Sequence, residues 1–215
     1  MPSPTGNQNA GLTTNEVIRG LKEALDLGAK KSGQEASKVN GFYKNQLLFI
    51  PFPPEAIMVK NTLEKAGLQK PVDDFVLSLN RAAEDAAQRA YPIFASAITG
   101  MTITDAMGIL KGADNAATNY LKEKTTLQLK AEFKPIVKQS IDKVKVTSYW
   151  NPVMTSYNRL TVLTGGEQVN PDLENYITDK AIEGLFKLVE NEEKLIRKDP
   201  TARITDILKK VFGSN

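Results

Sequence analysis

The chain has 215 residues, of which 28 are basic and 25 acidic, and it contains no histidine and no cysteine. Those two absences exclude imidazole acid–base catalysis, histidine or thiolate metal ligation, cysteine nucleophiles and disulfides, so that carboxylates, hydroxyls, lysines and arginines must carry any chemistry. A composition 41% hydrophobic and 25% charged is that of a globular chain able to bury a sizeable core, and a net charge of +3 does not by itself imply a nucleic-acid partner.

Residues 1–11 read as a polar, flexible lead, with neither the basic start nor the apolar stretch of an export signal. Residues 12–213 read as a single helical domain. Thr13 and Glu16 have the spacing of a capping box, and Val17, Ile18, Leu21, Leu25 and Gly28 then form one apolar stripe of a helix that fades near Ser32 to Lys38. Gly41 to Pro54 is a loop with a short extended piece at Leu47 to Ile50. The longest apolar run, Leu47 to Phe52, is broken by Pro51 and far too short to cross a bilayer. Pro54 suits the first turn of a helix ending at Gly67.

Pro71 opens a longer helix whose buried side is Val72, Phe75, Val76, Leu79, Ala82, Ala83 and Ala86, interrupted near Ala90 by Pro92. Thr102 and Asp105 mark a fresh helix start, closed by Gly112. Asp114 begins the next long helix, which Pro135 bends or restarts. Its lysines Lys122, Lys130, Lys134 and Lys138 recur at helical spacing and read as a solvated face. Tyr149 to Leu160 is another helix, Thr161 to Asn170 a loop, and Asn170 with Pro171 opens the next segment. Tyr176 to Arg197 is strongly periodic, and Ile204 to Phe212 closes the chain. The pattern predicts an all-α fold: a compact domain of about seven to ten helices with little or no strand and no repeat.

Three stretches carry polar residues that core packing does not require. In the first, Asn80 and Glu84 are four apart and share a helix face, with Arg81 beside them. They read either as a surface pair, Arg81 meeting Glu84 or Asp85, or as a partly buried network lining a cleft. In the second, Met101 to Thr125, Asp105 and Asp114 stand at helix starts, where capping alone explains an acid. With Asn115, Thr118 and Tyr120 they are also weak candidates for oxygen ligands to a hard cation, although the spacing matches no calcium loop. In the third, Tyr176 to Arg197, Thr178 reads as the cap of a helix restart, Gly184 as a close helix crossing, and Glu193 with Arg197 as an ion pair one turn apart.

The segments NRAAEDAA, MTITDAMGILKGADNAATNYLKEKT and YITDKAIEGLFKLVENEEKLIRKDP resemble the signature segments of the bacterial family called domain of unknown function 4197. GLKEAL at Gly20 to Leu25, GFYKN at Gly41 to Asn45 and the closing ILKKVFG fit as well, in the same order and over nearly the whole chain. The resemblance implies an all-helical protein of the periplasm or cell envelope, made with an export signal and often a lipoprotein signal. This sequence shows neither signal and no cysteine to accept a lipid, so a lipid anchor would belong to a longer precursor. The family carries no established activity to transfer.

The expectation is therefore a non-enzymatic, exported helical protein that binds a small ligand or a protein partner. Its polar cleft would be lined by Asn80, Arg81, Glu84, Asp114, Thr118, Tyr120, Tyr176 and Thr178. No cofactor, nucleic acid or transmembrane segment is expected. The alternatives are a hydrolase-like enzyme with Glu84 as general base beside Arg81 or Lys122, and a structural envelope protein docking through an apolar face.

Overall fold

The computed structural model describes residues 13–65, 67–143 and 172–199, together with Trp150, Thr155, Asn158, Arg159 and Val162. The helices expected at Tyr149 to Leu160 and Ile204 to Phe212, and the loop expected between Thr161 and Asn170, lie largely or wholly outside the described residues. Among the described residues the fold is all-α, without a strand. No single helix among them is long and apolar enough to cross a membrane.

Helix α1, Thr14–Ser37, begins with the capping box expected from the sequence: the Glu16 amide donates to Thr13 Oγ1 and the Thr13 amide to Glu16 Oε2. It runs to Ser37, within the stretch where the sequence expects it to end. Its buried face is built from small residues, Gly20, Ala24, Gly28, Ala29, Ser32, Gly33 and Ala36, with Leu21 and Leu25, which lets neighbouring helices approach closely. A loop follows over residues 38–53, then a short 3-10 turn at Pro54–Ala56 and α2, Ile57–Lys65. The Leu68 amide donates to the Leu63 carbonyl and the Gly67 amide to Glu64, with Gly67 at φ 78°, a left-handed stop to α2 that glycine adopts without strain.

Helix α3, Gln69–Ala87, and α4, Ala90–Thr99, are separated by one turn at Gln88 and Arg89, with Pro92 in the first turn of α4. Helix α5, Ile103–Lys111, starts with a second capping box, Thr102 with Asp105. Helix α6, Ala116–Lys143, runs straight through Pro135, so proline neither ends nor restarts it. The start expected at Asp114 falls two residues later, after a turn. Helix α7, Leu173–Lys198, is capped by Asp172, whose carboxylate accepts from the Asn175 amide at 2.9 Å. Thr178 therefore caps nothing; it is buried inside a continuous helix. Counting Gln69–Thr99 as one interrupted helix, the described residues form six, slightly fewer than the seven to ten expected.

Helix α7 packs against α1, α3 and α6, and it runs antiparallel to α6. The lysines expected to be a solvated face are exposed, and they also reach across to α7. Lys130 pairs with Asp179 at 2.8 Å, Lys138 with Glu174 at 3.0 Å, and Lys122 sits 5.7 Å from the centre of the Phe186 ring. Gly184 admits a loop rather than a helix: a Cβ there would lie 3.1 Å from Phe42 and 3.3 Å from Leu48. At the far end of the loop, Phe52 packs with Phe75 and Trp150, whose rings stack at 5.2 Å.

Candidate functional site

The polar residues singled out in the sequence fall into two assemblies. The first clamps the loop over residues 38–53 onto α3. The apolar run Leu47 to Ile50 is expected to be a short extended piece, but the Leu48 and Phe49 amides both fold back to the Asn45 carbonyl, forming a turn. Leu48 and Ile50 are buried while Leu47 and Phe49 face outward, which is why the segment reads as a strand. The strand partner that Ile50 lacks is supplied by a side chain. Asn80 Oδ1 accepts from the Ile50 amide at 2.9 Å, and Asn80 Nδ2 donates to the Ile50 carbonyl at 2.9 Å and to the Val76 carbonyl at 2.8 Å. This pair of bonds imitates one rung of an antiparallel ladder.

One turn along α3, Glu84 Oε1 accepts from the amides of Phe42 and Tyr43 at 3.0 and 3.2 Å. Its second oxygen takes Arg81 Nη1, and Arg81 Nη2 donates to Asn40 Oδ1 at 2.9 Å. The guanidinium also lies 6.0 Å from the centre of the Tyr43 ring. Asn40 adopts φ 66°, a left-handed conformation that asparagine tolerates better than most residues. The chain can turn this tightly only because the next residue is Gly41: a Cβ there would sit 2.6 Å from the Ala36 carbonyl oxygen. Asn80, Arg81 and Glu84 are thus a partly buried network, with Asn80 and Glu84 buried and Arg81 half-exposed, rather than a surface pair. Asp85 stands apart from it and accepts from Ser140 Oγ at 2.9 Å. Tyr176 adds to the same end of the molecule, its hydroxyl donating to the Pro51 carbonyl at 3.2 Å.

The second assembly lies toward the other end of α7. Glu193 accepts from the amides of Ala117 and Thr118 at 3.0 and 2.8 Å and from Thr118 Oγ1 at 2.8 Å. A carboxylate from one helix thus satisfies the orphan amides at the start of another, where the helix dipole favours negative charge. Arg197 donates to Glu193 and, at 2.9 Å, to the Ile109 carbonyl near the end of α5. Asp114, exposed, pairs with Lys198 at 2.6 Å, and that ammonium holds its carboxyl below the ordinary range.

Tyr120 is half-buried and donates to the Ala97 carbonyl at 3.3 Å; burial first, then the Asp105 charge, raises its phenol. Asp105 serves its own helix, with the Thr102 hydroxyl and amide lowering its carboxyl. Neither Asp105 nor Asp114 belongs to a cluster of three metal-ligating groups among the described residues. Thr178 is buried and its hydroxyl has no hydrogen-bond partner.

The eight cleft candidates therefore do not line one hollow. Asn80, Arg81, Glu84 and Tyr176 gather at the loop, while Thr118 and Asp114 gather near Glu193 and Lys198. At 1.5 Å per helical residue, Tyr176 and Glu193 stand about 25 Å apart along α7. Beside Glu193 and Arg197, between α1 and α7, lies a hollow of about 20 Å³, space for one water molecule and not for a metabolite. Glu193 was readable as more than half of a surface ion pair. It follows Val189 by four residues and precedes Ile196 by three, which places an acid on the apolar face of α7. The loop's part in the first assembly had no such signal, because its contribution is backbone amides that every residue carries.

Residues 11–213 match the family model described as a protein of unknown function, DUF4197. The chain belongs to the DUF4197 family. Both assemblies lie within the matched DUF4197 region. No curated protein and no solved structure matches the chain.

Proposed function

We propose that this DUF4197 protein is a non-enzymatic, exported binding protein of the cell envelope that recognises its partner through the loop over residues 38–53 rather than through a deep polar cleft. One observation carries the reading. Side chains of α3 satisfy four backbone groups of the loop, the buried amides of Phe42 and Ile50, the buried Ile50 carbonyl and the half-buried Tyr43 amide. Meanwhile Val39, Leu47 and Phe49 are left 75, 43 and 40% exposed. A segment that costs this much polar burial to hold still, and still turns apolar side chains to solvent, is organised as a contact surface.

Arg81 and Glu84 have a positioning role in this reading: they fix Asn40, Phe42 and Tyr43 behind the surface. The placement in the envelope is supported by the family resemblance. Binding is preferred to carboxylate catalysis because a general base must reach its substrate, and both oxygens of Glu84 and of Glu193 already take donors.

Photo-crosslinking in living cells tests the surface. A crosslinking residue at position 47 is expected to give discrete adducts, protein or lipid, that are missing when it stands at the exposed Leu127 of α6. Equal adducts from both positions, or none from position 47, would contradict the assignment.

A further inference from the structure

We infer that the loop surface docks on an anionic lipid bilayer, an inference that rests on the reading of residues 38–53 as the binding surface. The loop is amphipathic in a particular way. Its inner half, Phe42, Leu48, Ile50 and Phe52, is buried in the core, and its outer half presents Val39, Leu47 and Phe49. Around Phe49 the outward side gathers: the Tyr43 ring lies 6.2 Å from the Phe49 ring, and the turn closed on the Asn45 carbonyl sets Leu47 two residues from Phe49.

Within the loop's own sequence the charge has one sign. No acid occurs between Glu35 and Glu55, while Lys38 and Lys44 both do, and both are exposed. Lys38 is paired with Glu35 across one turn, and Arg81 is balanced by Glu84. Lys44 has no acidic partner among the described residues. Aromatic and aliphatic side chains beside lysine suit the boundary between headgroups and acyl chains, where rings sit at headgroup depth and ammonium groups meet lipid phosphates. An acidic protein partner would meet the same charge. The bilayer is favoured because the outward side chains are apolar rather than hydrogen-bonding, and because Lys44, exposed and without an acidic partner among the described residues, suits a diffuse anionic surface better than a specific ion-pair pattern. The clamp on α3 also means that docking orders nothing further, so shallow insertion of a few side chains is not offset by loop entropy.

Co-sedimentation of the protein with phosphatidylcholine vesicles, with and without phosphatidylglycerol, tests the inference. Expected is binding that requires phosphatidylglycerol, weakens with salt, and falls about tenfold or more in a Leu47→Ser/Phe49→Ser variant. Lys44→Glu is expected to weaken it as well, and Leu127→Ser to leave it unchanged. Circular dichroism and an unchanged Tm check that the loop variants fold. Absence of binding to the anionic vesicles would overturn the inference. So would binding that survives the double variant and disappears with Lys130→Glu, which would place the contact on α6. Protein adducts from position 47 without vesicle binding would also overturn it while leaving the binding surface intact; failure of both experiments would remove the surface itself.

Discussion

Asn80 shows how one side chain can replace a strand. Its amide completes both backbone bonds of Ile50, groups that would otherwise be buried without partners. Each such orphan costs about 1–3 kcal/mol, so Asn80→Ala is expected to lower stability by about 3 kcal/mol, measured by urea unfolding. A loss below about 0.5 kcal/mol would mean that Ile50 finds other partners. Thr178 is the opposite case, a buried hydroxyl with nothing to bond. Thr178→Val keeps the shape and removes the unsatisfied group, and it is expected to stabilise the protein by about 1 kcal/mol, seen as a raised Tm. Destabilisation would reveal a partner for that hydroxyl. Asn80 was legible as unusual because a polar amide falls on the apolar face of α3; that its partner is Ile50, thirty residues earlier in the chain, was not.

At the scale of elements, acids on α7 and α3 add polar ties between pieces of chain whose apolar sides share one core. Glu193 ties the start of α6 to α7, and Arg197 extends the tie to α5. Glu193→Ala leaves two amides and a mostly buried guanidinium without their acceptor, and a loss of about 3–5 kcal/mol is expected. A change within about 0.5 kcal/mol would show that the contact is ornamental. The helices themselves were readable from period and punctuation, as the two capping boxes and the Gly67 stop show. Pro135 was misleading because proline costs a helix one hydrogen bond and a local clash, which packing along both flanks of α6 can outweigh. Gly184 was misread for a related reason: the sequence signals close approach but not whether helix or loop arrives.

Over the whole molecule, the all-helical architecture follows from periodicity, and the grouping of its polar residues follows from tertiary contacts that no local pattern encodes. That is why, of eight residues read as one cleft, four gather at the loop, two gather near Glu193 and Lys198, and Tyr120 and Thr178 join neither group. The exposed ion pairs have a common effect on acid stability. Hydrogen bonds from Lys180 and Lys187 lower the Glu183 pKa from 4.5 to about 2. A depressed folded-state pKa contributes stability above the unfolded value, and that contribution disappears as pH falls from 4.5 toward 2. Solvent and salt keep it small at this exposed site. Glu183→Gln is therefore expected to flatten the pH dependence of unfolding free energy in that window, lowering stability slightly at neutral pH and leaving it unchanged near pH 2; an unchanged slope would contradict the pairing.

The central claim is that side chains of α3 hold the 38–53 loop as a fixed surface, and amide hydrogen exchange tests it most directly. The Phe42, Tyr43 and Ile50 amides are expected to exchange as slowly as the core of α3, and Asn80→Ala is expected to release Ile50 while the core of α3 stays protected. Exchange of all three at the rate of an unstructured loop in the unaltered protein would contradict the account.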